Sequence, residues 1–497
     1  MFNFNISIKK LKKLLLSTNK LIESFFDNFN KDKKHNLSKK KKLSYIDNRV
    51  ALAIGAVIIL FFSYFLIPTF FDKNETKAIL KNQILNKYGI NINFNEKIEY
   101  GLFPRPYFYT KDLTIFHKKK DLAKSNYTKI YISYKNFFSV NSIKVKDLEF
   151  KKTEFRVDSN DAGFFNKLIN SNLDKNQISF KKSNLFYLDK NEEILFFSKI
   201  KSLKFFYDEK KSNQNMVLNF EIFNVPFKLN VANDKEIKKK IIKLTSKRIR
   251  LDLKSIVEKD KMNFKGLLDV LVFNKNTSFD YEIKENSIEF LSNNKKFNGS
   301  VTLRPFYLIS KLNFNQLNRK KLFDNDSILM SLIDSEVLNN NNLNANFIIN
   351  FDKIDNNDYI NELIFKIFLE EGKILINDSS VKWNDAALIK LNNIQLINNK
   401  TEKKLVGEMI FEFNDVDRLY SYYQIKRNYR KRIKNINLDF IFNILENRIT
   451  FNNLKINENS NQNINELLEK YNIKENNLFN KVTFRNFIKE FFKVYAG

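Results

Sequence analysis

The apolar and polar positions of this chain fall into three patterns. The first is an unbroken apolar run from Val50 to Phe71, VALAIGAVIILFFSYFLIPTFF, with no charge. A helix needs about 20 mainly apolar residues to cross about 30 Å of hydrocarbon, so this run predicts one membrane span. Arg49 bounds it on one side and Asp72 and Lys73 on the other, and no later stretch matches it. The second pattern is a short helix from Glu75 to Tyr88, with Ala78, Ile79, Ile84 and Leu85 on one side and Gly89 as its stop. The third is alternation of period two. In Met216–Val225, Leu218, Phe220 and Ile222 alternate with Val217, Asn219 and Glu221. In Asn437–Asn443, Leu438, Phe440 and Phe442 alternate with Asn437, Asp439 and Ile441. Shorter runs occur at Lys129–Tyr134, Val301–Leu303 and Lys373–Asn377, the last carrying Ile374 and Ile376. Such alternation predicts strands with one apolar face.

Clusters of Asn, Asp and Lys separate these runs, as at Asn293–Lys296, Asn339–Asn342 and Asn398–Lys400. With only 9 glycines in 497 residues, asparagine is expected at the left-handed turn positions. The alternation continues for hundreds of residues without long helices, which predicts a mainly β protein built as one extended sheet or several all-β units. Helical spacing returns near the end. Ile464, Leu467 and Leu468 start one segment. Phe484, Phe487, Ile488, Phe491, Phe492 and Tyr495 form a stripe on another, with Arg485, Lys489, Glu490 and Lys493 on its other faces. The stripe predicts a helix docked on the sheet end; a cap over an apolar groove and a foot on a membrane are the alternatives. The divisions are then 1–49 (basic segment), 50–71 (anchor), 72–158 (first β unit), 159–460 (extended β region) and 461–497 (amphipathic helical segment).

Charge sets the expected topology. Met1 to Arg49 holds 13 Lys and Arg against 4 Asp and Glu, with Lys39, Lys40, Lys41, Lys42 and Arg49 just before the span. The other flank is mixed: Asp72, Lys73, Glu75 and Lys77. Positive charge favours the cytoplasmic side, so the N-terminus is expected in the cytoplasm and the bulk of the chain outside it. A cleaved signal peptide fits poorly, because the leading segment is too long and the apolar run exceeds the usual stretch of about 7–15 residues. Ile8, Leu11, Leu14, Leu15, Leu21, Ile22, Phe25 and Phe26 recur at near-helical spacing with Lys9, Lys10, Lys12 and Lys13 between them. That suits a helix on an anionic inner leaflet, or a loosely helical basic tail without a specific role. The net charge of +30 does not point to nucleic acid. Lys, Asn, Ile and Phe share AT-rich codons, and the basic residues after the span are scattered rather than clustered.

Little catalytic chemistry is visible. The chain has no cysteine, which excludes disulfides, thiolate metal sites and cysteine nucleophiles. Its two histidines are His35, in the basic head, and His117, beside Lys118, Lys119 and Lys120; neither belongs to a zinc motif. The glycines are too far apart for a phosphate loop, and no G-x-S-x-G elbow occurs. Trp383 reads as a core residue. The expectation is a non-enzyme with no catalytic residue, metal or cofactor.

The segment after the anchor resembles the AsmA family of inner-membrane-anchored periplasmic proteins. Members begin with a span, a short helix ending at Gly and a strand leading into a Pro-containing turn. The counterparts here are Tyr88-Gly89-Ile90, Phe94 to Tyr100, and Gly101-Leu102-Phe103-Pro104-Arg105-Pro106. An l-x-d-v-x-i strand follows, matched by Lys111-Asp112-Leu113-Thr114-Ile115. Leu122-Ala123 then leads into Lys129–Tyr134. Phe137 to Val145, then Leu148, Phe150, Phe155 and Val157, match the next unit; Val140 and Thr153 depart from the family's usual small residue and proline. This covers about Thr76 to Val157, with a looser match over Glu371 to Tyr423. The resemblance implies an elongated, twisted β-groove with an apolar floor that handles or transports lipid between the inner and outer membranes of a bacterium. Its implied partners are phospholipid or another envelope lipid, the inner membrane, and outer-membrane or envelope proteins. Strands with one apolar face, stacked about 4.8 Å apart, would form such a floor. The floor candidates are Leu113, Ile115, Leu218, Phe220, Ile222, Ile374, Ile376, Leu438, Phe440 and Phe442. The alternatives are a periplasmic scaffold for outer-membrane protein assembly that carries no lipid, and an anchored hydrolase of envelope polymers.

Overall fold

The structure, a computed structural model, describes residues 48–171, 173–234, 239–258, 265–318, 327–355, 357–399, 402–473, 478 and 480–497. The lysine run before the span and the amphipathic stretch of the head lie outside the described residues. The chain divides into two units, Met1–Tyr64 and Phe65–Gly497. The apolar run forms one long helix, α1 (Asn48–Leu66). Over Ala53–Phe70 its mean hydropathy is 2.2, enough for a single membrane-spanning segment. From Ile54 to Phe62 its large apolar side chains are exposed, Leu60 by 70%, while Tyr64, Phe65 and Leu66 are half-buried. A core helix of that composition would be buried, whereas a helix solvated by lipid need not be.

The second unit opens with α2 (Lys73–Tyr88). Asp72 caps it, its carboxylate accepting from Asn74 N (2.9 Å) and Glu75 N (2.8 Å). Gly89 ends it at φ 66° in the left-handed region, its N–H donating to Leu85 O. The expected face needs correction. Thr76, Leu80, Ile84 and Tyr88 are buried, while Ala78 and Leu85 are exposed. The helix packs along this i, i+4 row because Tyr88, at its end, donates its hydroxyl to Lys146 O, and Gln83 on an adjoining row accepts from Val145 N.

Among the described residues, 26 strands form one hydrogen-bonded sheet. The first are β1 (Asn91–Phe94), β2 (Ile98–Gly101), β3 (Tyr107–Thr110), β4 (Leu113–His117), β5 (Lys120–Ile132) and β6 (Val145–Val157). Helix α3 (Ala162–Asn170) leads to β7 (Gln177–Leu188), β8 (Ile194–Asp208), β9 (Asn213–Ile222), β10 (Val225–Asp234), β11 (Lys239–Ser246) and β12 (Leu251–Glu258). There follow β13 (Lys265–Val272), β14 (Lys275–Ile283), β15 (Ser287–Ser292), β16 (Phe297–Arg304) and β17 (Tyr307–Leu317). Helix α4 (Ile328–Asp334) leads to β18 (Ala345–Ile354), β19 (Asn357–Glu370), β20 (Lys373–Ile376), β21 (Ser379–Trp383), β22 (Ala387–Asn398) and β23 (Lys403–Phe413). The chain ends with α5 (Val416–Tyr423), β24 (Asn435–Asn443), β25 (Arg448–Ile456), β26 (Asn459–Ser460), α6 (Gln462–Asn472) and α7 (Lys481–Ala496).

Nearly every strand pairs antiparallel with its sequence neighbour; β6–β7 and β17–β18 pair parallel. Helices α3 and α4 bridge those two joints, as a parallel step requires a crossover; α5 also bridges β23 and β24, which pair antiparallel. Several hairpins turn on two successive residues of positive φ, the type I′ signature that suits strand twist. They are Lys118-Lys119, Phe223-Asn224, Phe273-Asn274 and Asn457-Glu458. Asparagine thus takes the left-handed position at Asn224, Asn274 and Asn457, while a lysine pair serves between β4 and β5.

Helices cover the sheet at its two ends. At the first, Leu80, Ile84 and Tyr88 join Leu113, Ile115, Leu148, Phe150, Phe155, Phe180 and Phe205, all at most 1% exposed. At the second, α4 to α7 supply Met330, Ile333, Tyr420, Leu467, Leu468, Phe487, Phe491 and Phe492 to a core shared with β18–β25. The C-terminal stripe is docked on the protein itself: Phe492 meets the Tyr420 ring at 5.0 Å and Phe487 meets Tyr471 at 5.3 Å.

Candidate functional site

Between the covered ends, one face of the sheet is apolar, and among the described residues no helix lies on it over most of its length. Register traces it strand by strand, since directly paired residues share a face. Leu203 of β8 pairs with Leu218 of β9, which pairs with Leu229 of β10, then Leu244 of β11, Leu253 of β12 and Val270 of β13. Leu268, two residues from Val270, pairs with Phe279. Further along, Phe297 pairs with Phe314, Phe314 with Phe351 and Phe351 with Leu363. The same face continues through Ile367–Ile376, Ile376–Ile394, Leu396–Leu405 and Leu405–Phe442.

The centre of this face is a ladder of rings. Phe279 and Phe290 lie 5.7 Å apart, Phe290 and Phe297 5.6 Å, and Phe297 and Phe314 4.2 Å, nearly parallel. Phe314 and Phe351 follow at 5.0 Å, and Phe351 and Phe365 at 6.3 Å. All six rings are half-buried. Two glycines on this face make room for neighbouring rings. A Cβ at Gly299 would sit 2.8 Å from the Phe290 ring and 2.6 Å from Lys311 O, and one at Gly266 would sit 3.2 Å from the Tyr281 hydroxyl. An aromatic ring folded over a strand glycine replaces the missing side chain.

The opposite face is mostly polar and more open, though Ile256, Leu267, Leu271 and Leu291 are exposed on it. It carries the Lys243–Asp252 and Lys265–Glu282 ion pairs and a run of amides in which Asn313 donates to Asn298 and Asn350 donates to Asn313, both at 2.8 Å. A shallow hollow is lined by Leu267, Leu291, Asp280, Asn298, Lys311 and Asn313 of that face together with Gly266, Tyr281, Phe290 and Gly299.

The sheet also meets itself at long range. Phe306 N, after β16, donates to Leu195 O of β8 at 2.8 Å; Tyr187 donates to Glu285 O, and Lys190 pairs with Glu285. Asn340, before β18, donates to Phe223 O in the β9–β10 turn. The ribbon therefore curls over the intervening strands, and the apolar face, the less exposed of the two, is the sheltered side of the curl.

The residues singled out from sequence all lie on this face, in three settings. Leu113 and Ile115 are fully buried under the first helical cover. Leu218, Phe220 and Ile222 are half-buried on the open part, with Phe220 stacked on Phe227 at 5.5 Å. Ile374 is buried and Ile376 half-buried at the edge of the second cover, while Leu438, Phe440 and Phe442 lie inside it, Phe440 only 5% exposed. Strand alternation alone could not separate these settings. The phenylalanine ladder was not singled out either; each ring sits on its own short strand, and only cross-strand register aligns them.

The turn Gly101-Leu102-Phe103-Pro104-Arg105-Pro106 joins β2 to β3. The Arg105 guanidinium pairs with Asp147 at 2.5 Å and lies 4.1 Å from the Tyr131 ring centroid. Asp147 also accepts from Gln177 N at 2.7 Å, so this turn, β6 and β7 are tied together. The Tyr107 ring lies against Gly101, which leaves no room for a side chain there.

No group of His, Asp and Glu able to hold a metal occurs among the described residues. His117 lies 5.7 Å from the Phe164 ring, and burial lowers its pKa. At the β6–β7 joint Glu149 bonds Lys181 at 2.5 Å and Lys151 at 3.2 Å. Burial would raise the Glu149 carboxyl, but the two ammonium groups outweigh it and hold it below its usual range. These are structural pairings, and the arrangement as a whole offers an extended apolar contact surface. No protein-family model and no curated protein matches the chain.

Proposed function

We propose that this is a membrane-anchored, AsmA-like protein whose sheltered apolar face holds acyl chains of phospholipid or another envelope lipid. It is not an enzyme in this reading; it hands lipid between the inner and outer membranes of a bacterium. The N-terminus lies in the cytoplasm and the sheet in the periplasm. The observation that carries the reading is the run of half-buried apolar side chains from β9 to β19, centred on the phenylalanine ladder. A soluble sheet that left this much apolar surface open would be an association hazard unless a ligand covered it. An acyl chain supplies about 0.8 kcal/mol per buried CH₂ and needs few polar contacts. The order of elements, from span through α2 and Gly89 to the Gly101–Pro106 turn, adds the resemblance to the AsmA family.

The test is native mass spectrometry of full-length protein extracted in mild detergent. Co-purified phospholipid is expected, together with crosslinks to lipid from a photoreactive group attached at Phe279→Cys or Phe314→Cys. Protein free of lipid, and without such crosslinks in vesicles, would overturn the reading in favour of a lipid-free scaffold.

A further inference from the structure

A separate set of apolar side chains lies where the second unit begins. The last part of the apolar run, Phe65–Phe71, belongs to this unit. Tyr100 of β2 donates its hydroxyl to Phe65 O at 2.7 Å, and the Phe137 ring meets the Phe65 ring edge-on at 6.0 Å. The turn Ile67–Phe70 packs against β2. Three segments are thereby gathered: residues 65–71, the Gly101–Pro106 turn, and the loop between β5 and β6. Ile132 N, donating to Pro106 O at 3.1 Å, joins the last two.

Each segment turns large apolar groups outward. Phe103 is 74% exposed, Phe138 76% and Phe70 62%. Phe138 directly follows the fully buried Phe137, so one phenylalanine holds the loop to Phe65 while the next faces out. Exposed Lys135, Lys144 and Lys146 accompany them. None of these residues belongs to the apolar face of the sheet centre.

We infer that the Gly101–Pro106 turn and the β5–β6 loop form a foot on the bilayer surface that α1 enters, with Phe103 and Phe138 at the head-group boundary. The inference rests on the reading of α1 as a membrane span. Chain continuity identifies the occupant. Phe65 lies in the last turn of the apolar helix; it is gripped by Tyr100, the β2 residue just before the Gly101–Pro106 turn, and by Phe137 of the β5–β6 loop, so both grips adjoin the exposed rings. Aromatic side chains favour the membrane–water boundary, and lysines beside them suit lipid phosphates.

The absence of cysteine permits single-site labelling of the whole chain. The full-length protein, reconstituted in vesicles of phosphatidylethanolamine and phosphatidylglycerol, carries an environment-sensitive fluorophore at Phe103→Cys, at Phe138→Cys, at Ile59→Cys within α1, or at Lys265→Cys on β13. Labels at 103 and 138 are expected to shift to the blue and lose most of their emission to lipids bearing a spin label near the head group. The label at 265 should respond only to aqueous iodide. Quenching at 59 by a spin label deep in the acyl chain, with 103 and 138 behaving like 265, would overturn the foot while leaving the span intact. Loss of quenching at 59 would overturn the span and the foot with it. Protection of 103 and 138 from both quenchers would mean that protein, not lipid, covers them, and would also overturn the proposal.

Discussion

Phe220 and Phe440 occupy equivalent places in their strands, yet the structure predicts opposite consequences for replacing each by aspartate. Phe440 pairs with Phe451 and Gly407 and sits 5% exposed in the core shared with α6 and α7. Truncating a buried phenylalanine costs about 3–5 kcal/mol. Leaving a carboxylate there without a partner adds several kcal/mol more, or forces it to stay protonated. The sum rivals the roughly 5–15 kcal/mol that holds a whole domain folded. Phe220 is half-buried, with one face against Phe227 at 5.5 Å. Its replacement loses about 0.5–1.5 kcal/mol of ring pairing and about 1–2 kcal/mol of partial burial, and water can reach the new charge. Phe440→Asp should therefore unfold the C-terminal part, and Phe220→Asp should leave the fold intact. The assay is hydrogen exchange read by mass spectrometry on full-length protein in detergent, because a sheet of this size is not expected to melt in one step. Phe440→Asp should strip protection from β23–β25, α6 and α7. Phe220→Asp should keep global protection and lower lipid crosslinking from Phe279→Cys. Equal loss of protection in both variants would refute the distinction between open face and covered core. Undiminished crosslinking in a folded Phe220→Asp protein would refute the lipid path.

Other expectations follow from single features. A reporter fused after Gly497 should lie outside the cytoplasm and one inserted near Lys39 inside; a cytoplasmic C-terminus in paired fusions contradicts the topology. Gly299→Val should cost about 1–3 kcal/mol, because its side chain meets Lys311 O and the Phe290 ring, whereas Gly163→Ala, in open space, should stay within about 0.5 kcal/mol. Hydrogen exchange over β15–β17 in the two variants checks this, and equal protection there would count against the ring-over-glycine arrangement. Glu149, held below the usual carboxylate range by Lys181 and Lys151, contributes stability present above its unfolded pKa and lost as pH falls through its lower folded value. Amide exchange at the β6–β7 joint should accelerate under acid in that window, and Glu149→Gln should abolish the effect. Lys190→Cys with Glu285→Cys should link through a short bis-maleimide within one molecule, as their ion pair requires; failure to link would deny the curl.

The sequence disclosed what is contiguous. The span is one unbroken run, and α2 is bracketed by Asp72 and Gly89, whose roles as cap and left-handed stop are local chemistry. Period-two alternation announced the strands. Long-range placement was not legible. Leu218 and Leu438 share an alternation pattern, but Leu438 is covered by helices that begin more than twenty residues later, while Leu218 is not. The buried row of α2 differed from the expected one because Tyr88, a polar-ended ring at the last position, anchors it. Nothing in the local pattern marks β6–β7 and β17–β18 as parallel, although each is preceded by a helical segment long enough to cross over.

Curling of the ribbon accounts for the open central face. Adjacent strands twist by about 20–25°, and the sheet also bends, since eight spacings of about 4.8 Å would otherwise hold β8 and β16 about 38 Å apart. From β8 to β16 there are eight steps. After them the turn that follows β16 faces the start of β8, where Phe306 N meets Leu195 O. One step further on, the segment before β18 meets the β9–β10 turn through Asn340 and Phe223. The ribbon thus reaches its own earlier edge after about eight strands, and backbone groups at those turns find partners across the gap. At the ends of the sheet no further turn of ribbon is available, and helices cover the apolar face instead. Coverage by helix and shelter by curl are alternative answers to one demand, that an apolar sheet face be kept from water. Only the second leaves the apolar face without a helical cover. On the proposed reading, the interval between α3 and α4 is therefore where lipid contact is to be sought; the phenylalanine ladder starts within it at β14 and runs past α4 to β19.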